Sequence, residues 1–159
     1  MRRSANAIGR LALVMLFWMT QRALSGPDRL TGPVPTHFDF AGRPNAWGSP
    51  AMLWLLPVIA LAMFALLSVV GRLPMRLINL PVAVTDENLP RIRSLLGDLL
   101  AALWAELACT FLLIQWAAIR AARYPQRLLP GWLLPLTVGV ILLTTLSFVV
   151  AMRRTARSC

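Results

Sequence analysis

No lysine occurs in this sequence, and histidine, cysteine and carboxylate side chains are scarce: one, two and six respectively. Each shortage excludes something. His37, with Asp39 two residues on, could offer a zinc-type ion two ligands but no evident third, so neither a metal nor a cofactor is expected. The more ordinary role of His37 is a hydrogen bond to Asp39 or Asn45 that shapes a local turn. Cys109 lies inside an apolar run and Cys159 is the last residue, so no disulfide framework is legible and the redox compartment stays open. Nucleophilic triads, phosphate-cradling glycine loops and paired catalytic carboxylates are missing as well, which argues against an enzyme.

What is present is apolar surface and arginine. Hydrophobic residues make up 58% of the 159-residue chain and mean hydropathy is +0.67, whereas soluble domains contain roughly 45–50% apolar residues. The composition is that of an integral membrane protein. The +10 formal charge rests on arginine alone, and the arginines fall between apolar runs without forming a basic face, so no nucleic-acid partner is expected. Arginines so placed set topology and meet anionic headgroups, which makes the lipid bilayer the first partner.

Four apolar stretches predict an all-α integral membrane fold of four transmembrane helices in a single membrane domain, residues 1–159, with spans at about 8–24, 51–70, 95–119 and 132–152. The first, whose apolar run Leu11 to Thr20 follows Arg2, Arg3 and Arg10, reads either as a retained helix with Arg22 snorkelling or as a signal cleaved near Ala23-Leu24-Ser25. Within the second, Pro57 should kink the helix unless a neighbour satisfies the carbonyl it frees. The last span carries Pro135, Gly139, Thr137, Thr144, Thr145 and Ser147. Ten of the arginines lie at the two termini and in the connector 71–94, whereas Arg22, Arg29, Arg43, Arg120, Arg123 and Arg127 lie on the other side. The positive-inside rule therefore puts both termini and the connector in the cytoplasm, the spans in a bacterial inner membrane and residues 25–50 outside.

Residues 25–50 form a polar, turn-rich interruption, and a small extracytoplasmic hairpin or loop is expected there between the first two helices. Val34, Thr36, Phe38 and Phe40 alternate with His37 and Asp39, as in an extended segment with two faces. Gly42-Arg43-Pro44-Asn45 offers a chain reversal, and Ala46-Trp47-Gly48 a short return strand. Phe38, Phe40 and Trp47 suit the headgroup level. In the connector, Pro81-Val82-Ala83-Val84 reads as extended and Thr85-Asp86-Glu87-Asn88 as a helix start, with Asn88 the alternative cap because Pro90 is tolerable only in a first turn.

Two acids fall inside the third span. An ionised Glu106 near its middle would be costly, so it reads either as a neutral acid bonded to Thr144, Thr145 or Ser147, or as a group that handles protons or cations. Asp98, Ala102, Glu106 and Thr110 follow one another at helical spacing, flanked by Ala101, Ala105 and Cys109, whose small side chains admit a second helix. Ala117, Ala118, Ala121 and Ala122 offer a further association surface, which leaves a homo-oligomer open.

The string Val34-Pro35-Thr36-His37-Phe38-Asp39-Phe40-Ala41-Gly42-Arg43-Pro44-Asn45-Ala46-Trp47-Gly48-Ser49 resembles the signature of domain-of-unknown-function family 1648, the N-terminal membrane domain of SdpI-type immunity proteins. Asn79 to Asn88 is similar to that family's connector, with Pro81, Thr85, Glu87 and Asn88 at the matching positions. The resemblance implies a bacterial membrane protein of unknown activity, related to proteins that give immunity to a secreted peptide toxin and take part in signalling, with Pro35, His37, Phe38, Asp39, Gly42, Asn45, Trp47 and Gly48 as its motif residues. The leading expectation is therefore binding or sensing of a peptide or lipid ligand at the outer face, with that ligand or another membrane protein as partner. The competing expectation is a small proton-coupled transporter or channel using Glu106, with Pro57 and Pro135 as helix breakers.

Overall fold

The computed structural model describes residues 1–39, 41–124 and 130–157, so Phe40, Arg127 and Cys159 lie outside the described residues. About 72% of the chain is helical. In order the elements are α1 (Arg2–Ser25), β1 (Val34–Phe38), β2 (Pro44–Gly48), a 3-10 segment Pro50–Trp54, α2 (Leu55–Val70), a 3-10 turn Met75–Leu77, α3 (Leu89–Arg123) and α4 (Leu133–Arg157). Three helical stretches, Pro50–Val70, α3 and α4, are long and apolar enough to cross a membrane. At about 1.5 Å rise per residue, even the shortest covers a hydrocarbon core of roughly 30 Å. This is the architecture of a multi-pass membrane protein. α1 is not among the three, since four arginines and Gln21 offset its apolar run.

α3 is the axis of the bundle. α1 lies along it in parallel, meeting it at Arg2 against Gly97, Gly9 against Trp104 and Thr20 against Gln115. The approach is closest at Gly9, where any Cβ would collide with the Trp104 indole. Ala12, Trp104 and Ala108 form the core at this level, because small residues on both helices let the backbones approach. α2 and α4 run antiparallel to α3, with Phe64 tilted against Trp104 at 5.0 Å between ring centroids and Leu133 packed near Ala117.

A second core, Ala23, Val34, Leu53, Ala118 and Ile119, sits at the hairpin end. The third, Ile92, Leu96 and Met152, lies at the connector end and gathers Met75, Ile78, Leu80 and Val82 onto α3 and α4. The connector is thus docked on the bundle by apolar packing, and Pro81–Val84 forms no strand.

The two helix breakers both fall in first turns. Pro57 does not kink a continuous span, because the chain winds as a 3-10 segment through Trp54 and the α-helix begins at Leu55, leaving Pro57 in its first turn. Pro135 occupies the first turn of α4 in the same way. A first-turn position spares a proline most of the roughly 3 kcal/mol penalty it incurs in a helix interior, and leaves at most the carbonyl four residues earlier without its usual donor. Neither proline divides a span, which removes the structural motive for a transporter-like broken helix.

Candidate functional site

β1 and β2 form a two-stranded antiparallel hairpin, joined directly to the 3-10 segment that opens α2. The reversal lies one step earlier than its sequence suggests. Asp39 accepts the Gly42 N–H at its backbone oxygen (2.9 Å) and the Arg43 N–H at its carboxylate (2.8 Å), and its own N–H donates to the Arg43 carbonyl (2.9 Å). Gly42 completes the turn at φ 76°, a left-handed conformation open to glycine at little cost. Pro44 and Asn45, expected in the turn, already belong to β2.

Strict alternation along β1 fails for a related reason. The register shifts twice, between Pro35 and His37 and between His37 and Phe38, so a bulge redirects the side chains. Val34 and Pro35 are both buried, Thr36 and His37 are both exposed, and Phe38 turns back to pack on Ala117 and Leu133. Phe38 is therefore half-buried between α3 and α4 and does not lie free at the headgroup level. Gly48 is confined too: a Cβ there would come within 2.9 Å of Thr36 Cγ2 and 3.2 Å of Met52 Cγ.

The motif residues thus divide by orientation. Pro35, Phe38, Asp39, Gly42 and Gly48 build and seat the hairpin. His37, Asn45 and Trp47 face outward, Trp47 with 46% of its surface exposed. His37 Nδ1 donates to Asn45 Oδ1 at 2.5 Å, the partner chosen over Asp39 because Asp39 is engaged in the turn. The bond occupies Nδ1 and leaves Nε2 of this exposed ring open to a further hydrogen bond.

Beneath the hairpin lies a polar junction that sequence reading overlooked. Gln115 on α3, 1% exposed, donates both Nε2 protons: to Thr20 Oγ1 on α1 (2.7 Å) and to the Leu53 carbonyl (2.9 Å). Thr20 passes its own proton to the Leu16 carbonyl (2.8 Å). Leu53 O is the carbonyl that a residue with an N–H at position 57 would bind, and Pro57 has none. The sequence signal was available, since a proline four residues after Leu53 requires an outside donor and Gln115 is the only amide side chain in the third apolar run.

The remaining predicted residues lie away from the hairpin. In the connector, Thr85 and Asn88 form a reciprocal capping pair: the Asn88 N–H donates to Thr85 Oγ1 (3.3 Å) and the Thr85 N–H to Asn88 Oδ1 (3.0 Å). Asn88 is buried and also donates to the Ala83 carbonyl, whereas Pro81, Thr85 and Glu87 are exposed. Glu106 accepts the Thr144 hydroxyl at Oε1 (2.5 Å), and its buried Oε2 has no partner among the described residues. It borders two crevices, one of about 450 Å³ shared with Asp98, Ala102 and Met1, the other of about 390 Å³ shared with Cys109, Thr110 and Thr137. Among the described residues no three His, Cys, Asp or Glu side chains group as metal ligands.

Comparison with known proteins bears on this end of the molecule. Residues 27–61 match a family described as Domain of unknown function (DUF1648), so the resemblance carried by Val34–Ser49 is shown. The match takes in the hairpin, the 3-10 segment and the opening of α2, and the connector motif lies outside it. No curated protein and no solved structure shows a significant match.

Proposed function

We propose that the hairpin is a recognition element for a peptide or lipid ligand, and that the chain is a binding or sensing protein of the bacterial inner membrane with an immunity-like role. One observation carries this reading: the buried face of the hairpin is fastened to the helices, while the His37–Asn45 pair and Trp47 face outward in a fixed arrangement. Such an arrangement can make a hydrogen bond at His37 Nε2 and bury apolar ligand surface on the Trp47 ring without ordering a loop first.

In this reading α1 is a fourth span, retained because it lies parallel to α3 along its length and supplies Thr20 to the junction below the hairpin. With α1 as a span, the ten arginines gathered at the connector end support an orientation with both termini in the cytoplasm and the hairpin outside. Ligand binding would reach the far side through the Leu53–Gln115 bond and α3, whose other end carries the Thr85–Asn88 cap. Signalling follows from that continuity.

The test is genetic and biochemical together. His37→Ala and Trp47→Ala are expected to accumulate in membranes like wild type, yet to abolish the protection or response that deletion of the gene abolishes. Full complementation by both variants would overturn the proposal.

A further inference from the structure

At the end of the bundle opposite the hairpin, α1, α2 and α3 enclose a cavity of about 370 Å³. Its rim carries Arg2 from α1 and Arg72 from just beyond α2, with the Asn6 amide and the Ser68 hydroxyl between them. Neither guanidinium has a hydrogen bond or ion pair among the described residues. Among the described residues no carboxylate lines the cavity either, since Asp98, next to Gly97, turns to a different crevice, against Met1 and Ser4. The backbone holds the space open: Gly97 lets the Arg2 side chain lie across α3, where a Cβ would come within 2.6 Å of Nη1.

Like charges from separate elements converging without a counterion are unfavourable unless something anionic joins them. The inner wall is different in kind. Phe64, Leu67 and Leu100 line it, and Trp104, whose Nε1 lies against Gly9, closes it. The cavity lies where the uncharged run of α2 gives way to Arg72, which is the depth of a membrane interface. Polar cationic rim and apolar interior therefore follow one another in the order of a phospholipid headgroup and its glycerol and acyl chains.

We infer that this cavity is a phosphate site that holds the headgroup of an anionic phospholipid, with Arg2 and Arg72 clamping the phosphodiester, Asn6 and Ser68 donating to its oxygens, and the chain ends lying against Phe64 and Leu67. Guanidinium groups suit this because their forked N–H donors match two phosphate oxygens at once. The inference concerns the end of the bundle away from the hairpin and is independent of the ligand proposed there.

Native mass spectrometry of the full chain released from nanodiscs of phosphatidylcholine containing phosphatidylglycerol tests it. Wild type is expected to retain phosphatidylglycerol, and the double variant Arg2→Gln/Arg72→Gln to lose about a hundredfold in that retention, as expected when two charge-assisted contacts to one phosphate are removed. The control Arg153→Gln/Arg157→Gln removes the same charge outside the cavity lining and should change retention less than about twofold, because solvent screens those charges from the cavity. Equal losses in both double variants would overturn the site, since retention would then follow net charge. Inorganic phosphate is the second probe: displacement of the lipid at millimolar concentration would overturn the lipid as source and identify a soluble phosphate ligand.

Discussion

Gln115 and Glu106 occupy the same helix, both inside the apolar part of the chain, and they are treated in opposite ways. Gln115 is enclosed and spends both amide protons, one on α1 and one on the carbonyl that Pro57 leaves free. Glu106 is half-buried at the edge of two crevices, with one oxygen bonded to Thr144 and the other unpartnered among the described residues. The difference teaches that a polar residue in a span is not read from its polarity or depth. A satisfied neutral group that joins three segments is scaffold, whereas a half-satisfied acid beside open space adds little to the fold and is free to change.

Removing Gln115 should give the largest effect. Gln115→Leu leaves the Leu53 carbonyl and Thr20 buried without their donor, at a cost of about 2 kcal/mol in the unfolding free energy measured by denaturant titration in micelles. A loss no greater than that of Glu106→Leu would erase the contrast. Pro57→Ala in the Gln115→Leu background restores an N–H near Leu53 O and should recover roughly half of the deficit, a coupling that the double-mutant cycle measures directly. No recovery would show that the Leu53 bond is incidental.

Glu106→Leu is expected to cost less, about 0.6 kcal/mol, because the Thr144 hydroxyl can turn back to its own helix when its partner is lost. The same titration sharpens the comparison if Thr144→Val gives an equally small change. Smallest of all should be Asn45→Ala, about 0.5 kcal/mol, since the His37–Asn45 pair is exposed and its loss leaves no buried group unsatisfied. A stability loss as large as that of Gln115→Leu would make the hairpin pair structural, and its place in recognition would fall.

Much of the fold was legible in advance, for reasons particular residues make plain. An uncharged run from Ala51 to Val70 can only be buried in lipid or protein, so a helix there follows from desolvation of the backbone alone. The hairpin was legible from its turn chemistry, and the start of α3 from the cap-forming residues Thr85 to Asn88, although their reciprocal pairing was not. The errors arose where a single added contact outweighed local pattern. Asp39 closing its carboxylate on the Arg43 N–H moved the turn upstream, and the bulge around His37 sent Phe38 inward. The cavity at Arg2 and Arg72 had no signature in order along the chain, because its lining comes from three helices.

By itself, then, the sequence determined the solvent, the number of apolar stretches and the local geometry of hairpin and cap, since these depend on hydropathy and on contacts a few residues apart. Only the tertiary structure decided which polar groups are scaffold. Gln115 meets Thr20 across 95 residues and Leu53 across 62, distances over which no spacing rule operates. It also decided that Arg2 and Arg72 face one cavity while Asp98 faces another, because helix rotation about α3 is set by how Gly9, Ala12 and Ala108 pack around Trp104.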